Sequence, residues 1–260
     1  MTDLSRLLNR HRSIRQYKPD PVDPKLVEAV CADAIAGASS SGNLNAVSLV
    51  LTRDVERKRR LYELHFNQPM VLQAPLAITF CADWFRTREW LRRRGARDNF
   101  NNLIGWHVAA FDAIIVAQNA CLGFEAHGLG ICYMGTTLHS MGEIADFLEL
   151  PDTCLPVTTI VVGWPDEDPA RRDRLPLAAL LHEERYRRPD GDAIDAIYER
   201  REELGWNRYM SMPELKARMQ QHGVTSLAQF YTSEIKYDPD AFRADSARLR
   251  ATLEERHFLP

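Results

Sequence analysis

The sequence predicts an α+β fold in which a mixed, mostly antiparallel sheet is flanked by helices. Three observations carry that reading. Residues 47–51, 76–82 and 157–162 are short runs rich in β-branched or apolar side chains, and polar residues or proline bound them, as is usual for strands. A longer apolar stretch, residues 103–124, has helical length and runs out at Gly128, the residue type that commonly follows a helix C-terminus. The order of these segments shows no strict β-α-β alternation, which argues against a parallel, doubly wound sheet.

Taken in chain order, Leu4, Leu7, Leu8 and His11 recur at helical spacing and give a short first helix, which ends at the turn region 13–21. The second helix starts at an Asp23 cap with Pro24 in its first position, buries Leu26, Val27, Val30 and Ala34 on one face, and stops by Gly37. A buried helix spans 104–127, a weaker strand follows at 131–134, and another helix covers 141–148. Beyond Arg174 the texture changes. Residues 175–181 read as an extended apolar arm leading into the charged run 183–188. From Ile194 the pattern is helical, with a capping box at Ser211 and Glu214 and a further start at Asp238 and Pro239. This divides the chain into a core with its arm, 1–187, and a helical C-terminal extension, 188–260, expected to act as a lid over substrate or cofactor.

At 260 residues, one enlarged core with an appendage is favoured over two independent domains. A net charge of −3, with acidic residues between and around the arginine clusters 86–97 and 171–174, leaves no basic stripe for nucleic acid. Five cysteines without a C-x-x-C pair read as free thiols in a reducing compartment. Residues 1–12 lack the apolar run of a signal peptide, so the expected location is the cytoplasm. His107, Asp112, Gln118 and Asn119 interrupt the long apolar stretch, so a buried helix is expected there and no membrane span.

Three constellations carry chemistry. His11-Arg12-Ser13-Ile14-Arg15 packs two guanidinium forks and a hydroxyl into a helix-to-loop junction, which suits a phosphate. The competing reading is a solvated turn with surface salt bridges. Residues 38–45, with Ser39, Ser40, Ser41 and Asn43, offer short donors and acceptors that can lie against a heteroaromatic edge, although such loops are often simple connections. Arg171-Arg172-Asp173-Arg174 follows a strand ending in Gly163-Trp164-Pro165, and is either a phosphate clamp or a surface turn.

In order and spacing, these segments, with Gly130-Ile131-Cys132-Tyr133-Met134-Gly135 and the later Leu181-His182-Glu183, make residues 5–187 resemble the nitroreductase family, nearest to its larger branch of NADPH-preferring nitroreductases and flavin reductases. The resemblance implies an intertwined homodimer binding FMN and using NAD(P)H to reduce a small electron-poor acceptor, a nitroaromatic, a quinone or a flavin, by a ping-pong scheme. Residue by residue, it implies that His11, Arg12, Ser13 and Arg15 approach FMN, with Arg15 at the phosphate and Arg12 stabilising the reduced cofactor. Arg172 and Arg174 complete the phosphate clamp. Gln68 reads the pyrimidine edge of the flavin, and Tyr133, Met134, Gly135 and Thr136 line its N5 side. Ser39, Ser40, Ser41 and Asn43 come from the second subunit. Thr136 stands where the family pattern has glycine, which matters if that position needs a positive φ. No catalytic side chain and no metal is implied. The residues beyond 189 do not match the branch's arginine-rich NADPH loop, which leaves NADH versus NADPH open. Competing readings are an FMN enzyme of this fold with another reaction, such as reductive dehalogenation, dehydrogenation or flavin breakdown, and a non-catalytic flavin-binding protein.

Overall fold

The computed structural model describes residues 1–260, and the chain divides into two compact units. The first comprises Met1–Arg171 with Arg248–Pro260, the second Arg172–Ala247.

The first unit holds helices α1 (Asp3–Arg10) and α2 (Pro24–Ala36), strand β1 (Val47–Thr52), helices α3 (Val55–Leu64) and α4 (Met70–Gln73), strand β2 (Leu76–Asp83), helices α5 (Phe85–Arg93) and α6 (Leu103–Ala126), strand β3 (Gly130–Met134), helix α7 (Met141–Phe147) and strand β4 (Cys154–Gly163). The sheet order is β1-β2-β4-β3 and every pairing is antiparallel, in line with the mostly antiparallel sheet expected. The central strands β2 and β4 are buried along their whole length, so they read as continuous apolar runs without alternation. Each is longer than its apolar kernel, because pairing carries Asp83 and Cys154 into the ladder.

The α2 boundaries follow from the anticipated local chemistry. Asp23 accepts from the Lys25 amide at 2.9 Å, Pro24 needs no partner for its nitrogen, and Gly37 closes the helix. Helix α6 is long and apolar enough by composition to cross a membrane, yet Ala109, Ala113, Ala117, Ala120 and Phe124 are fully buried in the core that includes the sheet. Its other face is apolar as well and exposed: Ile104 is 77% exposed and Phe111 61%. Of the three tryptophans near it in sequence, Trp84 and Trp106 are buried, whereas Trp90 is exposed.

The second unit contains α8 (Gly191–Met210), α9 (Pro213–Gln221), α10 (Leu227–Tyr231) and the start of α11 (Pro239–Glu255) around Met219, Leu227 and Phe230. Glu202 of α8 accepts from the Leu227 and Ala228 amides at 2.8 and 3.0 Å, satisfying the open donors at the start of α10. The capping box expected at Ser211 and Glu214 is not formed. Ser211 instead ends α8 in helical geometry, its hydroxyl donating to the Arg208 carbonyl at 2.7 Å, and α9 starts with Pro213 after Met212. The hydroxyl was already committed to the preceding helix. The Asp238 start is as expected, with the Asp240 amide donating to its carboxylate at 2.9 Å. The anticipated arm carries a 3₁₀ turn at Leu177–Ala179 and leaves Leu177 70% exposed.

Candidate functional site

The segment 11–18 lies along the ends of β3 and β4. Ile14 N donates to Ile131 O at 2.9 Å, Lys18 N to Trp164 O at 2.9 Å, and Asp166 N to Gln16 O at 3.0 Å. Two glycines make this approach possible. A Cβ on Gly130 would stand 2.6 Å from Ile14 Cγ1, and one on Gly163 would meet Pro75 Cδ at 2.5 Å and Tyr17 Cδ1 at 2.9 Å. The buried Tyr17 hydroxyl donates to Ile14 O at 2.6 Å, and burial pushes its phenol far above the ordinary range. Three sequence motifs that are far apart in the chain are therefore one physical feature.

Along this segment the side chains are spent unequally. His11 Nδ1 lies 2.7 Å from Glu125 Oε1, and burial raises the Glu125 carboxyl against the lowering effect of that contact. Arg12 donates to Asp168 Oδ1 at 2.6 Å and to Pro169 O at 3.2 Å. Ser13 is half-buried. Arg15 uses only its backbone amide, which donates to the Glu167 carboxylate, and its exposed guanidinium makes no hydrogen bond or ion pair. A cavity of about 160 Å³ opens here, lined by Arg10, His11, Arg12, Glu125 and Glu167 among others.

The serine loop is held from a different element. Ser40 donates to Asp112 Oδ2 at 2.6 Å and accepts from Asn45 N at 2.8 Å, while Ala46 N donates to the same carboxylate oxygen at 3.0 Å. Asp112 is 3% exposed on α6. Ser40 is thus turned inward, and Ser39, Ser41 and Asn43 stay exposed. Gly42, Asn43 and Asn45 have φ of 60°, 54° and 51°, left-handed values that glycine and asparagine tolerate best.

Gln68 and Thr136 come together as a third group. Gln68 Nε2 donates to Thr136 Oγ1 at 3.4 Å, and His65 Nδ1 lies 2.8 Å from the same oxygen. His65 is fully buried, which lowers its pKa to about 4, and its Nε2 has no partner. Thr136 sits in the 3₁₀ turn Gly135–His139 without a positive φ, so the departure from glycine there is tolerated by the backbone. Gly135 is exposed, Tyr133 half-buried with its hydroxyl 3.4 Å from Gln118 Oε1, and the Met134 side chain is core.

Arg172 and Arg174 are exposed in the second unit, where Arg174 Nη1 donates to Arg172 O at 3.3 Å and to Asp173 O at 3.0 Å. No hydrogen bond joins the serine loop to segment 11–18 or to Gln68 and Thr136. Asp112, His65 and Glu125 are site neighbours that the sequence motifs do not include. Asp112 had a visible signal, as a lone carboxylate inside an apolar helix; His65 had none.

As a donor set these residues fit FMN. An uncommitted guanidinium matches a phosphate, the free Oε1 of Gln68 matches an imide N–H, and the exposed left-handed loop offers short donors to a ring edge. The comparisons agree with that chemistry. The Nitroreductase family profile matches residues 8–164. An NAD(P)H FMN reductase of Bacillus subtilis (strain 168) is 33% identical over 192 residues, covering 73% of this chain and 77% of that protein. The NADPH-flavin oxidoreductase of Vibrio harveyi is 31% identical over 72% of this chain and 75% of that protein. A crystal structure of an oxidoreductase from Bacteroides fragilis NCTC 9343 superposes with a TM-score of 0.88 at 34% identity, covering 98% of this chain and 100% of that one. A match over more than half the chain places this chain in the nitroreductase family.

Proposed function

We propose that the chain is an FMN-dependent oxidoreductase that uses NAD(P)H to reduce a small electron-poor acceptor, a nitroaromatic, a quinone or a free flavin, by a ping-pong scheme. The observation that carries this reading is Arg15: a guanidinium held at its backbone by Glu167, with its side chain left uncommitted. The similar flavin reductases of Bacillus subtilis and Vibrio harveyi support it. Bound FMN would supply the hydride chemistry, and the protein binding, orientation and electrostatics.

Arg15, with Arg172 and Arg174, is assigned to the phosphate. Arg12, oriented by Asp168 and the Pro169 carbonyl, is assigned to the reduced cofactor, towards which its remaining N–H groups would donate. Gln68 commits its Nε2 to Thr136 and so presents Oε1 as an acceptor. His65 is neutral at pH 7 and adds no charge to that group. The exposed apolar stripe of α6, Ile104, Phe111, Ile114 and Ile115, is assigned to a homodimer interface, through which a second copy would bring its Ser39, Ser41 and Asn43 to the cofactor. The extension 188–260 is assigned to donor or acceptor recognition.

Purified protein should be yellow, with FMN near one equivalent per chain, and should oxidise NAD(P)H with parallel double-reciprocal lines against the acceptor. Arg15→Ala should weaken FMN binding by about tenfold or more, the loss of one or more charge-assisted hydrogen bonds. Unchanged FMN affinity in that variant rejects the phosphate assignment. Phe111→Asp should yield monomers by light scattering with loss of FMN; a monomer that keeps its FMN rejects the shared site.

A further inference from the structure

We infer that Arg201 is a positioning residue for cofactor binding: it masks the carboxylate of Asp173, which stands between the two phosphate-contacting arginines 172 and 174. The inference rests on the assignment of those arginines to the FMN phosphate and deepens it.

A carboxylate between two arginines works against anion binding, because it offers each guanidinium an internal partner and repels an incoming phosphate. In this chain Asp173 is turned to other use. Arg201, on α8, donates from Nε to Asp173 Oδ2 at 2.5 Å and from Nη2 to Asp173 O at 3.3 Å. The two side chains are 28% and 14% exposed, so the pair is shielded from much of the solvent screening that weakens surface ion pairs. Arg174 Nη1 donates to the same Asp173 carbonyl at 3.0 Å, so the Arg201 and Arg174 guanidinium groups converge on one main-chain oxygen. Neither Arg172 nor Arg174 pairs with the Asp173 carboxylate, and both remain exposed. Without Arg201 the segment 172–174 carries two positive charges and one free negative charge; with it, the negative charge is neutralised and the peptide at 173 is held.

Masking and mere structural clipping make opposite forecasts, which flavin titration of the full chain separates. Arg201→Ala should weaken FMN binding about tenfold and leave riboflavin, which lacks the phosphate, unchanged. Arg201→Lys should recover part of the loss, since it restores the charge but not the fork. The double variant Arg201→Ala with Asp173→Asn should bind FMN more tightly than Arg201→Ala alone, because a neutral residue at 173 needs no mask. Asp173→Asn alone should bind FMN at least as tightly as the unchanged chain, and it carries the test if Arg201→Ala fails to fold. FMN weakened by Asp173→Asn, a double variant no better than Arg201→Ala, or equal losses for FMN and riboflavin overturn the inference. Arg174→Ala serves as the control. If it leaves FMN affinity unchanged, the phosphate assignment itself fails; if it weakens FMN while Arg201→Ala does not, only the role of Arg201 fails.

Discussion

Two polar runs of this chain, 11–18 and 39–45, look alike in sequence and are held in opposite ways. The first is pinned by main-chain hydrogen bonds to the ends of β3 and β4 over two glycines, so the Arg15 guanidinium is left available for other work. The second is tied to α6 through one side chain, Asp112, which gathers a hydroxyl and an amide onto a single oxygen, with Arg86 adding a longer contact at the Asn45 carbonyl. A segment held by its backbone spreads its anchoring over several bonds. One held by a single buried carboxylate concentrates its stability in that residue, and the difference can be tested directly.

The largest effect is expected at Asp112→Ala. It strands the Ala46 amide and the Ser40 hydroxyl in a buried place, at about 3 kcal/mol, read as a lowered denaturant midpoint with unchanged m-value. A loss below about 1 kcal/mol would show that the loop is held by something other than Asp112. Gly130→Ala should cost about 2 kcal/mol, because the new methyl displaces Ile14 and the hydrogen bonds beside it. That variant should also lose FMN affinity, since Arg15 moves with the segment; normal affinity would mean the backbone anchoring does not set Arg15.

Acid should probe a third kind of anchor. His65 has an ordinary pKa near 6.5 when unfolded and about 4 when folded, so the unfolded state binds the extra proton. The associated stability is present above pH 6.5 and is lost as pH falls from there towards 4, on the order of 1–2 kcal/mol by pH 5. His65→Gln should flatten this slope relative to the unchanged chain; an identical slope would place the titrating group elsewhere. The smallest effect is expected at Tyr17→Phe, about 1 kcal/mol for one buried hydroxyl, with FMN affinity nearly kept, because the main-chain bonds of 14 and 18 remain. A strong loss of FMN there would break the contrast between the two runs.

What the sequence by itself determined is the part ruled by short-range chemistry. The Asp23-Pro24 start and Gly37 end of α2, the apolar runs of β2 and β4, and the long α6 were all legible, because propensity, capping and periodicity act over a few residues. Helices α3 and α5 carry no such local mark, since their ERKRR and RTREWLRR stretches are charged and mostly exposed and show only a weak apolar stripe. The Ser211 hydroxyl can serve either neighbouring helix, and only the finished chain path decides that it closes α8 and does not start α9. The family motifs could be ordered along the chain, but not why they belong together. That was decided by tertiary structure: Gly130 and Gly163 are glycines because Ile14 and Tyr17 cross them. Asp112, His65 and Arg201 acquire their roles only from partners 72, 71 and 28 positions away. Hydrogen bonds and charge pairs of that sequence separation leave no local pattern, because the energy that selects them exists only once the intervening elements have packed.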